Sequence, residues 1–294
     1  MRQSREVTAP KVTPGEIAAA RARLPRAFAP APRQRFVAWG GFALFASLVL
    51  YTLVAFDFAP ARLWQGLGKL GFVLGFMLPP YVWPSWELFL EPVTAIAETL
   101  AMAFLGTLLA ALAALPLSFL GAKNILRIEW MRFGVRRGFD TLRAFEQLVL
   151  ALIFIRAFGL GPLAGIFAIA VSDIGVLAKL FSEAIENIDP KQVEGVRASG
   201  GGPLQVIRLA VLPQVLPVVL SQALYQLESN TRSATILGIV GAGGIGYMLY
   251  DRMAANNWDE VMSIVLLILV TVYAIDTLSG WLRGRIIGKN DYRP

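Results

Sequence analysis

Long apolar runs constrain this chain more than any other feature of its sequence. Five runs, at about 36–56, 94–121, 144–160, 162–184 and 261–282, approach or exceed the roughly 20 residues that cross a bilayer core of about 30 Å. The mean hydropathy is +0.60, and 16% of the residues are charged, against roughly 25% in soluble domains. The sequence therefore predicts an all-α polytopic membrane protein.

Three further apolar segments are less regular. Residues 213–233 predict a sixth transmembrane helix, although polar side chains interrupt it at Gln222, Gln226, Glu228, Asn230 and Arg232. Residues 63–83 are broken by prolines and too short to span, which predicts an interfacial helix within an external loop, 57–93. The Gly-rich residues 234–250 predict a broken or short helix that dips into the protein interior.

The distribution of Lys and Arg predicts the orientation. Residues 1–35, 123–143, 186–212 and 283–294 together hold 21 of the 27, whereas the connections 57–93 and 233–260 hold three. Because cytoplasmic loops are enriched in Lys and Arg, the first group is expected in the cytoplasm. This predicts six spans, with cytoplasmic tails at 1–35 and 283–294 and a core at 94–282.

Composition excludes several kinds of chemistry. The chain has no cysteine and no histidine, so disulfides, thiolate chemistry and imidazole-based metal sites are excluded. The net charge of +7 follows membrane topology better than nucleic-acid binding, since no aromatic-interleaved basic stripe accompanies it. No Walker A sequence is present, so ATP hydrolysis by a P-loop is excluded.

The connection between the fourth and fifth spans, 186–213, predicts a short cytoplasmic helix. Asp189 is placed to cap it, Pro190 to begin it, and Gly200 to end it. The stretch 204–212 then predicts a lead-in helix that enters the membrane at Pro213. A short helix held between two spans forms a rigid projection that fits a groove on a partner.

This connection resembles the coupling loop of ABC-importer permeases. The family pattern reads Glu-Ala-Ala, three residues, Gly, nine residues, Ile-x-Leu-Pro, and Glu194, Gly200, Leu212 and Pro213 keep its spacing. Gly195, Val196 and Ala210 depart from it by small apolar changes. Three strings resemble the phosphonate-type branch more closely: ETLAMAFLGTLLAALAALPLSFLGAKN (98–124), LFSEAIENIDPKQVEGVRASG (180–200) and NTRSATILGIVGAGGIGYML (230–249).

The resemblance implies the type I permease fold in a bacterial inner membrane. It further implies a homodimer, two copies of an ATPase that holds ATP and Mg, and a periplasmic or surface substrate-binding protein, with lipids around the spans. The residues implied to contact the ATPase lie in the loop: Asp189, Glu194, Gly195, Ala198, Gly200, Leu212 and Pro213. The implied substrate is a phosphonate or a related phosphorus oxyanion.

Polar residues inside the spans are candidates for the substrate pathway, because charges at mid-bilayer normally face a cavity or a partner. These candidates are Ser172, Asp173, Glu228, Asn230, Thr231 and Arg232. Arg232 suits an anion as a charge-assisted donor. The alternative is contact between helices, since Glu228 and Arg232 form an i,i+4 pair.

The string GIVGAGGIG, 238–246, mimics a dinucleotide-binding fingerprint, but no strand precedes it, so that interpretation is rejected. In a membrane helix, small residues permit close approach or free the backbone to line a cavity. Gly241, Gly243, Gly244 and Gly246 are therefore predicted to serve either a gate or close packing.

Other functions are weaker alternatives. A permease for methionine or betaine-like substrates shares the same loop. A stand-alone secondary transporter or channel would be expected to show internal repeats with paired broken helices, and none is visible. A membrane enzyme would need grouped carboxylates, which the sequence does not offer.

Overall fold

The structure, a computed structural model, describes residues 15, 19, 22, 23, 32–56, 58, 60–126 and 128–287. The regular secondary structure of this part of the chain is helical, which confirms the all-α prediction. The helices are α1 (Pro32–Ala55), α2 (Pro60–Met77), α3 (Trp86–Gly121), α4 (Glu129–Leu142), α5 (Gln147–Phe158), α6 (Pro162–Glu186), α7 (Pro190–Ala198), α8 (Pro203–Ala242), α9 (Gly244–Ala254) and α10 (Trp258–Ile287). Most of the predicted tail 1–35 lies outside the described residues.

The described chain divides at Gly71 into two units. In the first unit, every described side chain of α1 from Phe36 to Ala55 is exposed. A helix that is apolar on all sides needs lipid or protein around it, which agrees with the predicted first span. The predicted helix in the loop is present as α2, which ends just before Pro79 and Pro80.

The helix α3 starts eight residues before the predicted boundary between the external loop and the core, at residue 94. The helix α3 begins at Trp86, where the hydroxyl of Ser85 accepts a hydrogen bond from the backbone N–H of Leu88 at 3.4 Å. Glu87 lies in the first turn, where a carboxylate favours the positive end of the helix dipole. Polar residues that suggested a loop are therefore the start of the helix.

The predicted span 144–160 is also different in the structure. The apolar helix α5 has 12 residues and ends where Gly159 adopts a φ of 88°. On its other side, α4 continues the same path along α6: Asp140 contacts Lys179 at 2.9 Å and Gln147 contacts Asp173 at 3.1 Å. The segment 123–143, predicted as a cytoplasmic connection, therefore contains a helix that extends the short α5 alongside α6.

The fifth predicted span is part of a longer helix. α8 has 40 residues and includes π-helical turns at Ile207–Val211 and Gly238–Ala242. The first π-turn lies where Pro213 has no N–H to donate to the carbonyl of Leu209. The last helix, α10, runs to Ile287, so the predicted tail boundary at 283 falls inside a helix.

The core of the second unit is built on α3 packed against α6. Small side chains permit this close contact: a Cβ on Gly106 would lie only 2.7 Å from the side chain of Ile169. Five helices of the described chain, α1, α3, α6, α8 and α10, are long and apolar enough to cross a membrane, and α5 is a shorter apolar helix. The count of six spans stays a prediction, with the apolar helix α5 in the place of the predicted span 144–160.

Candidate functional site

The segment 186–213 forms the predicted short helix, α7. The carboxylate of Asp189 accepts a hydrogen bond from the N–H of Lys191 at 3.0 Å, and Pro190 occupies the first turn. The helix stops at Gly200, whose φ of +82° is a left-handed conformation that suits glycine. The cap, start and stop predicted from the sequence are confirmed.

One face of α7 is free for a partner. Glu194, Gly195 and Ala198 are exposed, and a Cβ on Gly195 would meet nothing within 4 Å. Val196 is instead half-buried and packs toward the core. The departure from the family pattern at Gly195 therefore lies on the outer face, and the one at Val196 lies on the inner face.

Two side chains that the sequence did not single out fasten this segment. Glu186, at the end of α6, accepts hydrogen bonds from the N–H of Lys123 at 2.7 Å and from Arg136 at 2.6 Å. Gln214, on α8, accepts from the N–H of Asp189 at 2.9 Å. The two residues join the approach to α7 to the end of α3, to the middle of α4 and to α8.

A polar cluster joins four helices inside the second unit. Gln147 (α5) and Gln226 (α8) donate to the carboxylate of Asp173 (α6) at 3.1 and 3.0 Å. Asn230 (α8) donates to Asp173 and to the hydroxyl of Thr107 (α3), the latter at 2.8 Å. The carboxylate of Asp173 therefore accepts from three side-chain amides, and one of these amides also donates to a hydroxyl.

Four of the predicted pathway residues are enclosed in this conformation. Ser172, Asp173, Asn230 and Thr231 are 6%, 1%, 0% and 3% exposed. An anion cannot reach them unless the helices separate, and the carboxylate of Asp173 would repel it. A substrate pathway through these residues stays a prediction; in this conformation the polar atoms of Asp173 and Asn230 bind side chains of neighbouring helices.

Glu228 and Arg232 belong to an ion network between α8 and α10. Arg232 contacts Glu228 at 3.5 Å, which confirms the i,i+4 pair, and also contacts Asp276 at 3.1 Å. Arg283 contacts Glu228 at 2.7 Å. The side chain of Arg232 remains 47% exposed, so it is the predicted pathway residue with most access to a ligand.

The glycine segment is a break between α8 and α9. Gly241, Gly243 and Gly244 have φ values of 110°, 86° and 66°, which other residues rarely adopt. A Cβ on Gly246 would overlap the carbonyl oxygen of Thr235, so α9 lies directly against α8. The prediction of a broken helix is confirmed, and the contacts favour close packing.

The start of α9 is held by residues of α3. The carboxylate of Glu98 accepts from the N–H of Gly244 at 3.1 Å, and the hydroxyl of Thr99 accepts from the N–H of Ile245 at 2.9 Å. These acceptors satisfy N–H groups that a helix start leaves without partners. On the other side of the break, the N–H of Gly161 donates to the carbonyl of Gly241 at 3.0 Å.

Residues 106–289 match the family described as binding-protein-dependent transport system inner membrane component. The chain belongs to this family. The permease is 42% identical over 194 residues to the phosphate-import permease protein PhnE of Mycolicibacterium smegmatis, covering 66% of this chain and 36% of that protein. It is 38% identical over 222 residues to the phosphite transport system permease protein PtxC of Stutzerimonas stutzeri, covering 74% and 78%.

A solved structure confirms the fold of the permease. The chain aligns with the inward-facing MetNI methionine ABC transporter with a TM-score of 0.62 at 23% identity, covering 69% of this chain and 99% of that one. The permease therefore has the type I fold of ABC-importer membrane subunits, and it is an integral membrane protein. The likeness at this identity establishes the fold alone.

Four residues that take part in these contacts were not predicted as site residues, although the sequence contains weak signals for them. Gln147 and Gln226 are amides within apolar runs, which is the same signal that singled out Asp173. Glu98 and Asp276 lie near the ends of predicted spans, where charged side chains usually meet the membrane interface. Which helix faces meet decides all four contacts, and a single sequence does not carry that information.

Proposed function

We propose that this permease moves a phosphorus oxyanion across the bacterial inner membrane as the transmembrane subunit of an ATP-driven importer. The observation that carries the proposal is α7, a capped helix with an exposed face between two long apolar helices. A projection of this kind has no use in a stand-alone transporter. It suits a partner that closes when it binds ATP, moves the helix, and opens again after hydrolysis.

The partners follow from the same reasoning. Two copies of the permease pair, and each presents α7 to one copy of an ATPase in the cytoplasm, where ATP and Mg bind. Both termini of the permease lie on that side, as the excess of Lys and Arg requires. A binding protein delivers the anion on the opposite side, and the permease alternates between outward and inward access.

The substrate class rests on the relatives. Permeases named for phosphate and phosphite are 42% and 38% identical to this chain, whereas the methionine transporter is 23% identical. A methionine or betaine-like substrate is therefore the weaker candidate. Arg232 is the residue that we assign to the anion, because its guanidinium is partly exposed and an oxyanion can replace Asp276 as its partner.

The glycine break next to Glu98 is the candidate gate. A backbone that bends at Gly241 and Gly243 separates α8 from α9, so one helix can move while the other stays. Close packing at Gly246 would then define the closed position.

Reconstitution in proteoliposomes tests the function. The permease, its partner ATPase and its binding protein are expected to import phosphite, phosphate or methylphosphonate only when ATP is present. Replacing Glu194 with Arg, on the exposed face of α7, is expected to abolish ATPase binding and uptake. Uptake of methionine but of no phosphorus oxyanion would overturn the substrate, and uptake without any ATPase would overturn the importer.

The role of Arg232 is tested by substitution in the same system. Arg232→Lys keeps the charge but loses the planar, two-pronged donor, and Arg232→Gln loses both. We expect uptake at saturating binding protein to fall in that order. Equal uptake by all three proteins would show that Arg232 serves only the contact between α8 and α10.

A further inference from the structure

The coupling helix α7 has little packing of its own through which to move the rest of the permease. None of its nine residues is buried. A groove of about 720 Å³ lies beside it, lined by residues of α7, of the loop after α3 and of α8, including Ile125, Val193 and Val206. Val193 and Val196 are the side chains of α7 that pack, partly buried, against the core, so specific bonds contribute to holding its position.

The first such bond is made at the end of α6. Glu186 binds the N–H of Lys123 and the guanidinium of Arg136, and Arg136 also donates to the carbonyl of Gly121 at 3.0 Å. The neighbouring Asn124 donates to the carbonyl of Ile185 at 2.6 Å. These bonds join the ends of α3 and α6 and the middle of α4 into one block, four residues before α7 begins.

The second bond is made at Asp189, the N-cap residue of α7. The amide oxygen of Gln214 accepts from the N–H of Asp189, and its nitrogen donates to the carbonyl of Ala210 at 2.8 Å. The amide of Gln214 is thus bonded through its nitrogen to α8 and through its oxygen to the backbone at the start of α7. Sixteen residues further along α8, about 24 Å in a helix, lies Asn230 of the buried polar cluster.

We propose that Gln214 is a positioning residue for energy coupling, supported by Glu186. It converts a displacement of α7 into a displacement of α8, and α8 carries it to the cluster where four helices meet. Without this bond, the ATPase can still dock on the exposed face of α7 and hydrolyse ATP, but the motion is dissipated in the loop. This inference rests on the proposed importer function.

The experiment compares Gln214→Met with Gln222→Met in the reconstituted importer. Methionine keeps the length of the side chain but removes both bonds. Gln222 lies two turns further along α8 and makes no hydrogen bond within the described part of the chain, so it is the matched control. The measured quantity is the number of phosphite ions imported per ATP hydrolysed, together with the amount of ATPase that co-purifies.

For Gln214→Met we expect normal ATPase binding, hydrolysis within about twofold of the unaltered protein, and import per ATP reduced at least about fivefold, the factor that one net hydrogen bond contributes to an equilibrium. Gln214→Glu keeps the acceptor for Asp189 and should fall between. An unchanged ratio, a parallel loss of hydrolysis and import, or loss of the bound ATPase would overturn the proposal.

A second measurement separates this inference from the importer function. Because the chain lacks cysteine, spin labels can be placed on Lys191→Cys and Leu220→Cys in the permease alone. Gln214→Met should broaden the distance distribution between α7 and α8, and Gln222→Met should not. An unbroadened distribution would overturn the fastening role of Gln214, whereas an unaltered importer that neither imports nor hydrolyses would overturn the proposed function.

Discussion

The helix α7 and the buried polar cluster of this permease are stabilised in opposite ways. The helix α7 has no buried residue, and it depends on a cap, a glycine stop and a few bonds to backbone groups. The cluster around Asp173 is buried and depends on side chains from four helices. A substitution on α7 should therefore change what binds it, and one in the cluster should change whether the helices assemble.

The largest effect is expected at the cluster. Asp173→Leu leaves the amides of Gln147, Gln226 and Asn230 without their shared acceptor and adds apolar bulk to a buried space. The expected destabilisation is about 3–4 kcal/mol, three lost bonds plus the cost of unsatisfied donors. The melting temperature of the purified permease in detergent measures it. Ser172→Ala is the control, since its hydroxyl bond to Phe145 is long at 3.4 Å.

The difference between the regions also explains what the sequence could predict. The cap at Asp189, the proline start and the glycine stop of α7 are signals between neighbours in the chain, so the sequence contained them. The cluster joins residues that are 26 to 123 positions apart. Their polarity was visible, but their partners depend on which faces of the helices pack together.

The predicted spans and the observed helices differ in their bounds for a related physical reason. Hydropathy locates the part of a helix that lipid surrounds, whereas a helix begins and ends where its backbone bonds do. Ser85 begins α3 before the apolar run, and α4 extends α5 through residues whose charges are paired, such as Asp140 with Lys179. Hydropathy alone therefore assigns the amphipathic or charged turns at the ends of these helices to loops.

The next largest effect is expected at the glycine break. Gly246→Ala places a methyl group against the carbonyl of Thr235, and backbone on both sides cannot easily move. Overpacking of this kind should cost about 2–3 kcal/mol. The melting temperature measures the cost. A variant as stable as the unaltered permease would mean that α9 does not lie against α8 in the membrane.

A smaller effect is expected at the start of α9. Glu98→Ala removes the carboxylate that accepts from Gly244, but Thr99 still accepts from Ile245. Loss of one helix cap should cost about 1 kcal/mol. Glu98→Gln keeps an acceptor without the charge and should retain about half of the stabilisation, by the same reasoning. If both variants melt together with the unaltered protein, the carboxylate does not hold the break.

The smallest effect on stability, and the sharpest contrast with the cluster, is expected on the outer face of α7. Gly195→Ala adds a methyl group that meets nothing within 4 Å and improves helix propensity, so the free energy of unfolding should rise by about 0.5 kcal/mol. Gly195→Trp should be equally stable, because its ring extends away from the protein, yet it should prevent the ATPase from binding. Co-purification measures the second property and the melting temperature the first. If Gly195→Trp unfolds the permease, Gly195 faces the protein rather than solvent, and the contrast between α7 and the buried cluster does not hold. If it remains folded and still retains the ATPase, docking uses another surface.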